Sequence, residues 1–157
     1  MAYGEGATVT LAFFVPGLAR PKGSKRGLPI YRGKKGQPRE FTGHVALVES
    51  AGRSLKAWEQ DIRAAAATAM EGHALLDGPI TCDLLFVRPR PKADKKCRLL
   101  APITRPDRLK LARAVEDALT GIVWRDDAQV VGGLVSKVFG DPPGVKIALM
   151  TLDGVEP

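Results

Sequence analysis

The residues best suited to chemistry lie in one short stretch of the chain, residues 105–131. Asp107 opens this stretch, a helical pattern follows it, Gly121 interrupts the pattern, and the pair Asp126 and Asp127 closes it. Carboxylates at the two ends of one helix-turn segment can converge on a divalent cation, since carboxylate oxygens are preferred ligands of Mg²⁺. A metal ion held in this way can assist hydrolysis of a phosphodiester. The stretch therefore predicts a metal site at Asp107, Asp126 and Asp127.

Each of these acids also has a purely structural alternative. Asp107 stands where a helix-capping residue belongs, and such a cap stabilises by about 1 kcal/mol. Asp126 and Asp127 suit a turn, where aspartate is favoured. Adjacent carboxylates repel each other, however, unless a cation or basic group lies near them. The pair also lies between apolar, strand-like segments, which favours a functional site over a solvated surface turn.

Basic residues on the same helical stretch supply a second requirement of such a site. Lys110 and Arg113 lie between the two groups of carboxylates. A cation there can bind a scissile phosphate or stabilise charge that develops during its hydrolysis. The alternative for Arg113 is a surface salt bridge with Asp117, four residues later, which stabilises a helix by about 0.3 kcal/mol. Both roles stay open for Arg113 and Asp117.

The charge of the whole chain points to a polyanion partner. Lysine and arginine number 24 against 17 acidic residues, which gives a net charge of +7. The excess lies in two tracts, with eight basic residues between Arg20 and Arg39 and ten between Arg88 and Arg113. One basic tract alone suits a solvated surface, but two tracts, one of which runs into the carboxylate stretch, favour nucleic acid.

Length and composition narrow the class of protein. The 157 residues suffice for a single domain with a buried core, expected over residues 1–157. No apolar run approaches the roughly 20 residues of a membrane span, and the start of the chain lacks the basic region of a signal peptide. Cys82 and Cys97 match no metal-binding spacing, and so few cysteines favour a reduced, intracellular setting. Neither His44 nor His73 has a second metal-type ligand beside it.

The elements that must position the acids follow from periodicity. A helix with apolar spacing from Leu55 to Met70 is expected to end near Gly72. A second helix is expected to begin near Asp107 or Arg108 and to end at Gly121. A long, basic, irregular loop is expected over about residues 16–50, with one short strand near Ile30 and Tyr31. The expected strand segments are Thr8–Val15, Pro79–Val87, Ile122–Trp124, Ala128–Val138 and Val145–Leu152.

This order predicts an α/β or α+β domain with a small mixed sheet and helices packed on one of its faces. In the second helix, the apolar spacing places one side of the helix against the sheet. The sequence contains no internal repeat that would indicate a different architecture. The residues expected on the buried side are Leu111, Val115, Ala118 and Leu119.

The carboxylate stretch resembles the signature of the RusA family of Holliday-junction resolvases. That signature begins Pro-Asp-x-Asp, continues into a helix that ends Asp-Ala-Leu-x-Gly, and closes on Asp-Asp-x-Gln. Weaker similarity extends over nearly the whole chain and is greatest to the phage-encoded branch. The positions that match with their spacing kept are Pro106, Asp107, Lys110, Leu111, Arg113, Asp117, Ala118, Leu119, Gly121, Asp126, Asp127, Gln129 and Val130.

The resemblance implies a homodimeric, Mg²⁺-dependent endonuclease that nicks four-way DNA junctions symmetrically in recombination and repair, with Mn²⁺ as a substitute ion. It implies metal binding by Asp107 and Asp127, with Asp126 as the neighbouring acid. It assigns catalytic assistance to Arg113, where the family carries a basic residue, usually lysine, and supporting positions to Asp117 and Lys110. It also implies the cytoplasm of a bacterial host and a phage or prophage origin.

The two basic tracts would then follow the backbones of the junction arms. Such contacts give steep salt dependence, and recognition rests on branched shape more than on base identity. The candidate DNA-binding residues are Lys22, Ser24, Lys25, Arg26, Lys34, Lys35, Arg88, Arg90, Lys92, Lys95 and Lys96.

One position departs from the signature, because Leu109 stands where the family has its second aspartate. Leucine cannot bind Mg²⁺. Three explanations are open: a natural degenerate copy, an engineered inactivating change, or an enzyme that recruits another acid, such as Asp126 or Asp117. Leu109 also sets the alternative function, a dimer that binds branched DNA without cutting it. A third hypothesis is an interaction protein whose basic face binds an acidic protein.

Overall fold

The computed structural model describes residues 7–23, 25–49, 52–94 and 98–152. Within these ranges, seven strands and two helices form a mixed α+β fold, as predicted. None of the described helices is long and apolar enough to cross a membrane. The elements are β1 (Ala7–Pro16), β2 (Lys25–Arg32), β3 (Glu40–Glu49), α1 (Gly52–Ala69), β4 (Ile80–Arg88), α2 (Arg108–Leu119), β5 (Val130–Gly132), β6 (Val135–Phe139) and β7 (Gly144–Leu152).

The main sheet is mixed, with β7 between β1 and β4 and antiparallel to both. Strands β5 and β6 follow one another along the far edge of β4, and both run parallel to it. Between them, Gly133 has a φ of 144°, and a Cβ there would overlap the carbonyl oxygen of Cys82. Just after Gly133, the chain contacts β4 again, because the amide of Leu134 donates to Asp83 Oδ1 at 2.7 Å. Glycine is required at position 133 because the two backbones approach so closely.

Strand β4 and helix α2 form the centre of the core. Strand β4 is buried on both faces, with Ile80, Leu84 and Phe86 on one face and Thr81 and Val87 on the other, because successive side chains of a strand point to opposite faces. Helix α2 buries the predicted side and packs most closely against α1. The buried residues of α2 are Leu111, Ala112, Ala114, Val115, Ala118 and Leu119, which confirms all four that the spacing predicted.

Helix α1 confirms its predicted apolar side. Leu55, Trp58 and Ile62 are buried, and the helix ends at Ala69, before Gly72 with its positive φ of 78°. Trp58 packs against Gly17, where an added Cβ would come within 3.2 Å of the indole ring. The packing of α1 against β1 therefore depends on the small residue that follows the first strand.

The long loop predicted over about residues 16–50 is wrong for most of its length. Residues 25–49 form a β-hairpin, hereafter the basic hairpin, in which β2 pairs with β3 in a separate two-stranded sheet. Gly27 and Pro29 suggested an interrupted backbone, but each strand of a hairpin bonds on one side only, and such edge strands tolerate proline. Every described side chain from residue 27 to residue 41 is exposed.

The prediction of a strand at Ile122–Trp124 is also wrong. These residues form a turn after α2, in which the amide of Gly121 donates to the Trp124 carbonyl at 2.7 Å. Val123 and Trp124 are fully buried, and Trp124 Nε1 donates to Thr120 Oγ1 at 3.1 Å. The apolar run therefore reflects a buried turn that closes the core below α2.

Candidate active site

Asp107 immediately precedes α2, and its backbone is extended, with φ −67° and ψ 141°. Its side chain accepts no capping hydrogen bond from the described first turn of the helix. The side chain is 65% exposed, and its Oδ2 lies 4.0 Å from Lys110 Nζ. Asp107 therefore does not act as the side-chain cap that its position suggested, and its carboxylate is open to a ligand.

Backbone contacts from two other segments fix the start of α2. Lys137 on β6 donates from Nζ to the carbonyls of Thr104 and Pro106, at 3.1 Å each. The amide of Lys22 donates to the carbonyl of Lys110 at 2.9 Å. Arg108 Nη1 adds a bond to the Val135 carbonyl at 3.3 Å. The start of α2 is thus held beside the middle of the sheet edge formed by β6.

Asp126 and Asp127 lie in a tight turn, residues 125–130, called here the acidic turn. Asp126 Oδ1 accepts the amide of Ala128 at 2.8 Å, and Gln129 Oε1 accepts the amides of Arg125 and Asp126 at 3.0 and 3.3 Å. This reciprocal arrangement is a capping box on the short 3₁₀ helix Asp127–Gln129. Asp126 therefore has a structural role, while Asp127 is exposed at the start of the 3₁₀ helix.

Gln129 also ties the acidic turn to the main sheet. Its Nε2 donates to the carbonyls of Leu76 and Gly78, at 3.2 Å each, just before β4 begins. A single side chain thus bonds to four backbone groups. The match of Gln129 to the family signature is explained by this positioning role.

Glu116 is a site residue that the sequence reasoning did not single out. It is half-buried on α2, and burial, followed by the negative charges of Asp127 and Asp117, raises the pKa of its carboxyl. The helical spacing held a signal for it, because Glu116 follows the buried Ala112 by four residues and so borders the core. Glu116 and Asp127 together make the end of α2 acidic.

Asp107 and the acidic turn lie at opposite ends of α2. Glu116, which is close enough to Asp127 for that charge to raise its pKa, lies nine positions after Asp107. At a rise of 1.5 Å per residue this is about 13.5 Å along the helix. Contacts with the sheet show the same separation. The start of α2 bonds to Val135, which pairs with Leu84 in the middle of β4, whereas the acidic turn bonds to Gly78, before β4 begins. The expected convergence of Asp107 with Asp126 and Asp127 on one ion does not occur within one described chain.

The described acidic side chains of one chain do not by themselves form a divalent-metal site. Among the described residues, no group of three or more His, Cys, Asp or Glu side chains is arranged to hold a metal ion. Two carboxylates bind one Mg²⁺ only when their oxygens approach it to about 2.1 Å. The acids of a single chain therefore do not fit a complete site, although each end offers an exposed carboxylate.

The remaining candidates on α2 have distinct surroundings. Leu109 is 67% exposed on the first turn, so its replacement by an acid would not disturb the core. Arg113 is exposed on the same helix. Asp117 Oδ2 binds Lys22 Nζ at 2.8 Å, and Lys22 also binds Glu59 at 3.2 Å. Asp117 and Lys22 thus join α2 to the segment before the basic hairpin, and these ion pairs raise the pKa of Lys22.

The predicted DNA-binding residues fall into three groups. Lys34 and Lys35 are exposed at the tip of the basic hairpin, and Lys92 is exposed after β4. Arg90 is held by Asp94 at 2.6 Å and lies over the Phe139 ring at 4.4 Å, while Arg88 is half-buried. Ser24, Lys95 and Lys96 lie outside the described residues, as do the side chains of Lys25 and Arg26.

Comparison with known proteins identifies the class. A family model described as Endodeoxyribonuclease RusA matches residues 32–150, well over half of the chain. The chain therefore belongs to the RusA family, a family of endonucleases that resolve Holliday junctions and generally depend on a divalent metal. This confirms the resemblance predicted from residues 105–131.

A curated relative extends the comparison beyond the family model. The chain is 30% identical over 139 residues to the "Uncharacterized protein YqaN" of Bacillus subtilis (strain 168), a match that covers 83% of this chain and 85% of the relative. Because the name of that relative states no function, the functional class rests on the family match.

Proposed function

We propose that this protein is a homodimeric, Mg²⁺-dependent endonuclease for four-way DNA junctions, with each active site built from two chains. Asp107 of one protomer would bind the metal together with Asp127 of its partner. The observation that carries this proposal is the separation of the two carboxylates along α2, in a chain whose family is generally metal-dependent. A second copy supplies the missing acid without any change in the fold.

Each residue of the site has a separate task. A bound Mg²⁺ would polarise the scissile phosphate and activate the attacking water. Asp107 and Asp127 would hold that ion, while Asp126 and Gln129 hold Asp127 in place through the acidic turn. The exposed guanidinium of Arg113 would stabilise charge on the phosphate as it develops. Mn²⁺, with similar oxygen ligands, would substitute for Mg²⁺.

Leu109 lowers the number of carboxylates at the start of α2. Of the two acids proposed as replacements, Asp117 is bound to Lys22 and Asp126 caps the acidic turn. Glu116, beside Asp127, is a further acid at the other half of the composite site. The absence of an aspartate at position 109 supports a second candidate function: a dimer that binds branched DNA and cuts it slowly or not at all.

DNA binding would come from the exposed cations of the basic hairpin and of the segment after β4. Lys34 and Lys35 at the hairpin tip would contact phosphates of one junction arm, and Lys92 those of another. Phosphate contacts position a protein on DNA without reading its sequence. A gel shift that showed no preference for a junction over a duplex would instead favour an acidic protein partner.

The decisive experiment compares the parent protein with Leu109→Asp and Leu109→Asn on a labelled four-way junction with Mg²⁺. The asparagine variant has the same size without the charge and serves as the control. Cleavage by Leu109→Asp alone, at least about 100-fold above the parent (roughly 2.7 kcal/mol of barrier), would show that Leu109 disables the metal site. Cleavage by the parent that is lost in Asp127→Asn would exclude the non-cleaving module. Absence of cleavage in all three would overturn the proposed nuclease activity.

A further inference from the structure

A solvent-facing cleft of about 510 Å³ lies where the starts of the two helices meet residues 20–23. Four basic side chains and a single carboxylate line it, and the sequence predicts individual roles only for Lys22, Lys110 and Asp107 among them. The cleft is called here the basic cleft. The charged residues in its lining are Arg20, Lys22, Arg105, Asp107 and Lys110, and its other walls include Gly52, Ser54 and Pro106.

The charges of the basic cleft do not balance within the described chain. Lys22 is offset by its ion pairs with Glu59 and Asp117, and Lys110 faces Asp107 at 4.0 Å. Arg20 and Arg105 therefore account for its positive excess. An anion seated between these two guanidiniums would make charge-assisted hydrogen bonds with both of them.

A neighbouring arginine adds to this excess. The positive charge of Arg20 is close enough to lower the pKa of Arg88, an effect that adds to the larger effect of burial. Nη1 of Arg88 is buried, and no acceptor among the described residues bonds to it. Two guanidiniums this close repel each other, and a bound anion would relieve the repulsion.

The backbone around the basic cleft favours the same ligand. The first turn of α1, an 18-residue helix, contributes Gly52 and Ser54 to its wall. Amides at a helix start point outward and attract anions. Bonds from Lys22 to Lys110 and to Asp117 hold the opposite wall against α2, so the cleft exists before any ligand binds.

We propose that the basic cleft seats a backbone phosphate of the DNA strand that passes Asp107, held by Arg20 and Arg105. This inference rests on the proposed function and adds the seat that aligns the substrate with the carboxylate. Most of its lining residues are exposed, which suits a strand passing through the cleft better than an enclosed small molecule. The seat does not involve Leu109, so it would bind DNA even in a chain that does not cut.

The test measures DNA affinity at several salt concentrations in EDTA, where cleavage is absent. The double variant Arg20→Ala/Arg105→Ala is compared with Arg53→Ala/Lys56→Ala, which removes equal charge from exposed sites on α1 outside the cleft. Loss of one phosphate contact lowers the slope of log K against log salt by about 0.9. We expect that change for junction and duplex alike in the cleft variant, and less than half of it in the control.

Equal slopes for the cleft variant and the parent would overturn the phosphate seat. A second arm compares inorganic phosphate with chloride at equal ionic strength. Phosphate could stabilise the parent against heat but not the cleft variant, while the two proteins show the same salt dependence of DNA binding. That result would assign the cleft to free phosphate and so overturn the DNA assignment. Junction binding by the parent would leave the proposed function standing in either case. A parent that neither binds nor cuts junctions would refute the proposed function itself.

Discussion

The two ends of helix α2 differ in charge and in how they are built. At its start, Asp107 borders the basic cleft, with Arg20 and Arg105 in the same lining. At its other end, Asp127 lies near Glu116, a carboxyl whose pKa is raised by burial and by neighbouring acids. One end therefore suits a phosphate, and the other suits a cation.

A nuclease site needs both of these environments at one scissile bond. A helix of 12 residues spans about 18 Å, so one chain cannot bring its two ends together. A symmetric dimer could, because an isologous interface can pair the start of α2 in one protomer with the end of α2 in its partner, twice over. The comparison therefore predicts that catalysis requires two chains, whereas the fold of each chain does not.

The most direct test of a two-chain active site is to mix inactive subunits. Asp107→Asn and Asp127→Asn would each reduce junction cleavage by at least about 100-fold, because each removes a metal ligand from both sites. In a mixed dimer of the two variants, one composite site has both aspartates and the other has neither. Random mixing should then restore roughly a quarter of the parent's activity, since half of the dimers carry one intact site of two.

The mixing test needs a background that cuts, either the parent or Leu109→Asp. Sites contained in one chain would carry one substitution in every mixed dimer, so mixed protein would stay as inactive as either variant. A mixture of Asp107→Asn with itself, refolded in the same way, is the control for recovery during handling.

The local parts of this site could be predicted from the sequence, but their separation could not. The spacing of Leu111, Val115 and Leu119 indicated the buried side of α2 correctly, because helix periodicity is a local property. Whether Asp107 and Asp127 meet depends on the length of α2 and on where the acidic turn docks. That docking is made by Gln129 with Leu76, 53 residues earlier in the chain.

In the basic hairpin, by contrast, the local residue types predicted the wrong structure. Gly27 and Pro29 are typical of loops, yet they lie in β2, paired with Leu47 and Val45. Their cost is small there because an isolated hairpin has free edges. The pairing of Lys22 with Asp117 was likewise beyond prediction, since 95 positions separate these residues in the chain.

Replacing Gln129 measures how much the hydrogen bonds of the acidic turn contribute to the stability of the fold. Gln129→Ala removes hydrogen bonds to four backbone groups and should cost about 1–3 kcal/mol of unfolding free energy. For a chain of this size that lowers the melting temperature by about 2–4 °C per kcal/mol. Gln37→Ala, at the exposed hairpin tip, is the matched control. Equal melting temperatures for the two variants would show that the turn does not depend on Gln129.

We expect Asp126 to have a structural role and Asp127 a functional one. Asp126→Ala removes the cap of the 3₁₀ helix and should cost about 1 kcal/mol. Asp127→Ala should leave the unfolding free energy within about 0.5 kcal/mol of the parent, as is usual for exposed positions. Chemical denaturation measures both values. A larger loss at Asp127 than at Asp126 would reverse the assignment of roles.

The smallest expected effect is a pH dependence at Glu116. Its folded pKa is raised above the ordinary value of 4.5, so its protonated form is favoured in the folded chain. This contribution to stability is fully present below pH 4.5 and is lost as the pH rises through the raised pKa. Glu116→Gln stays neutral, so its melting temperature should fall less than the parent's between pH 4.5 and neutrality. Glu71→Gln, at an exposed position after α1, is the control. Melting curves for Glu116→Gln that shift with pH in parallel with the parent's would show that folding does not raise the pKa of Glu116.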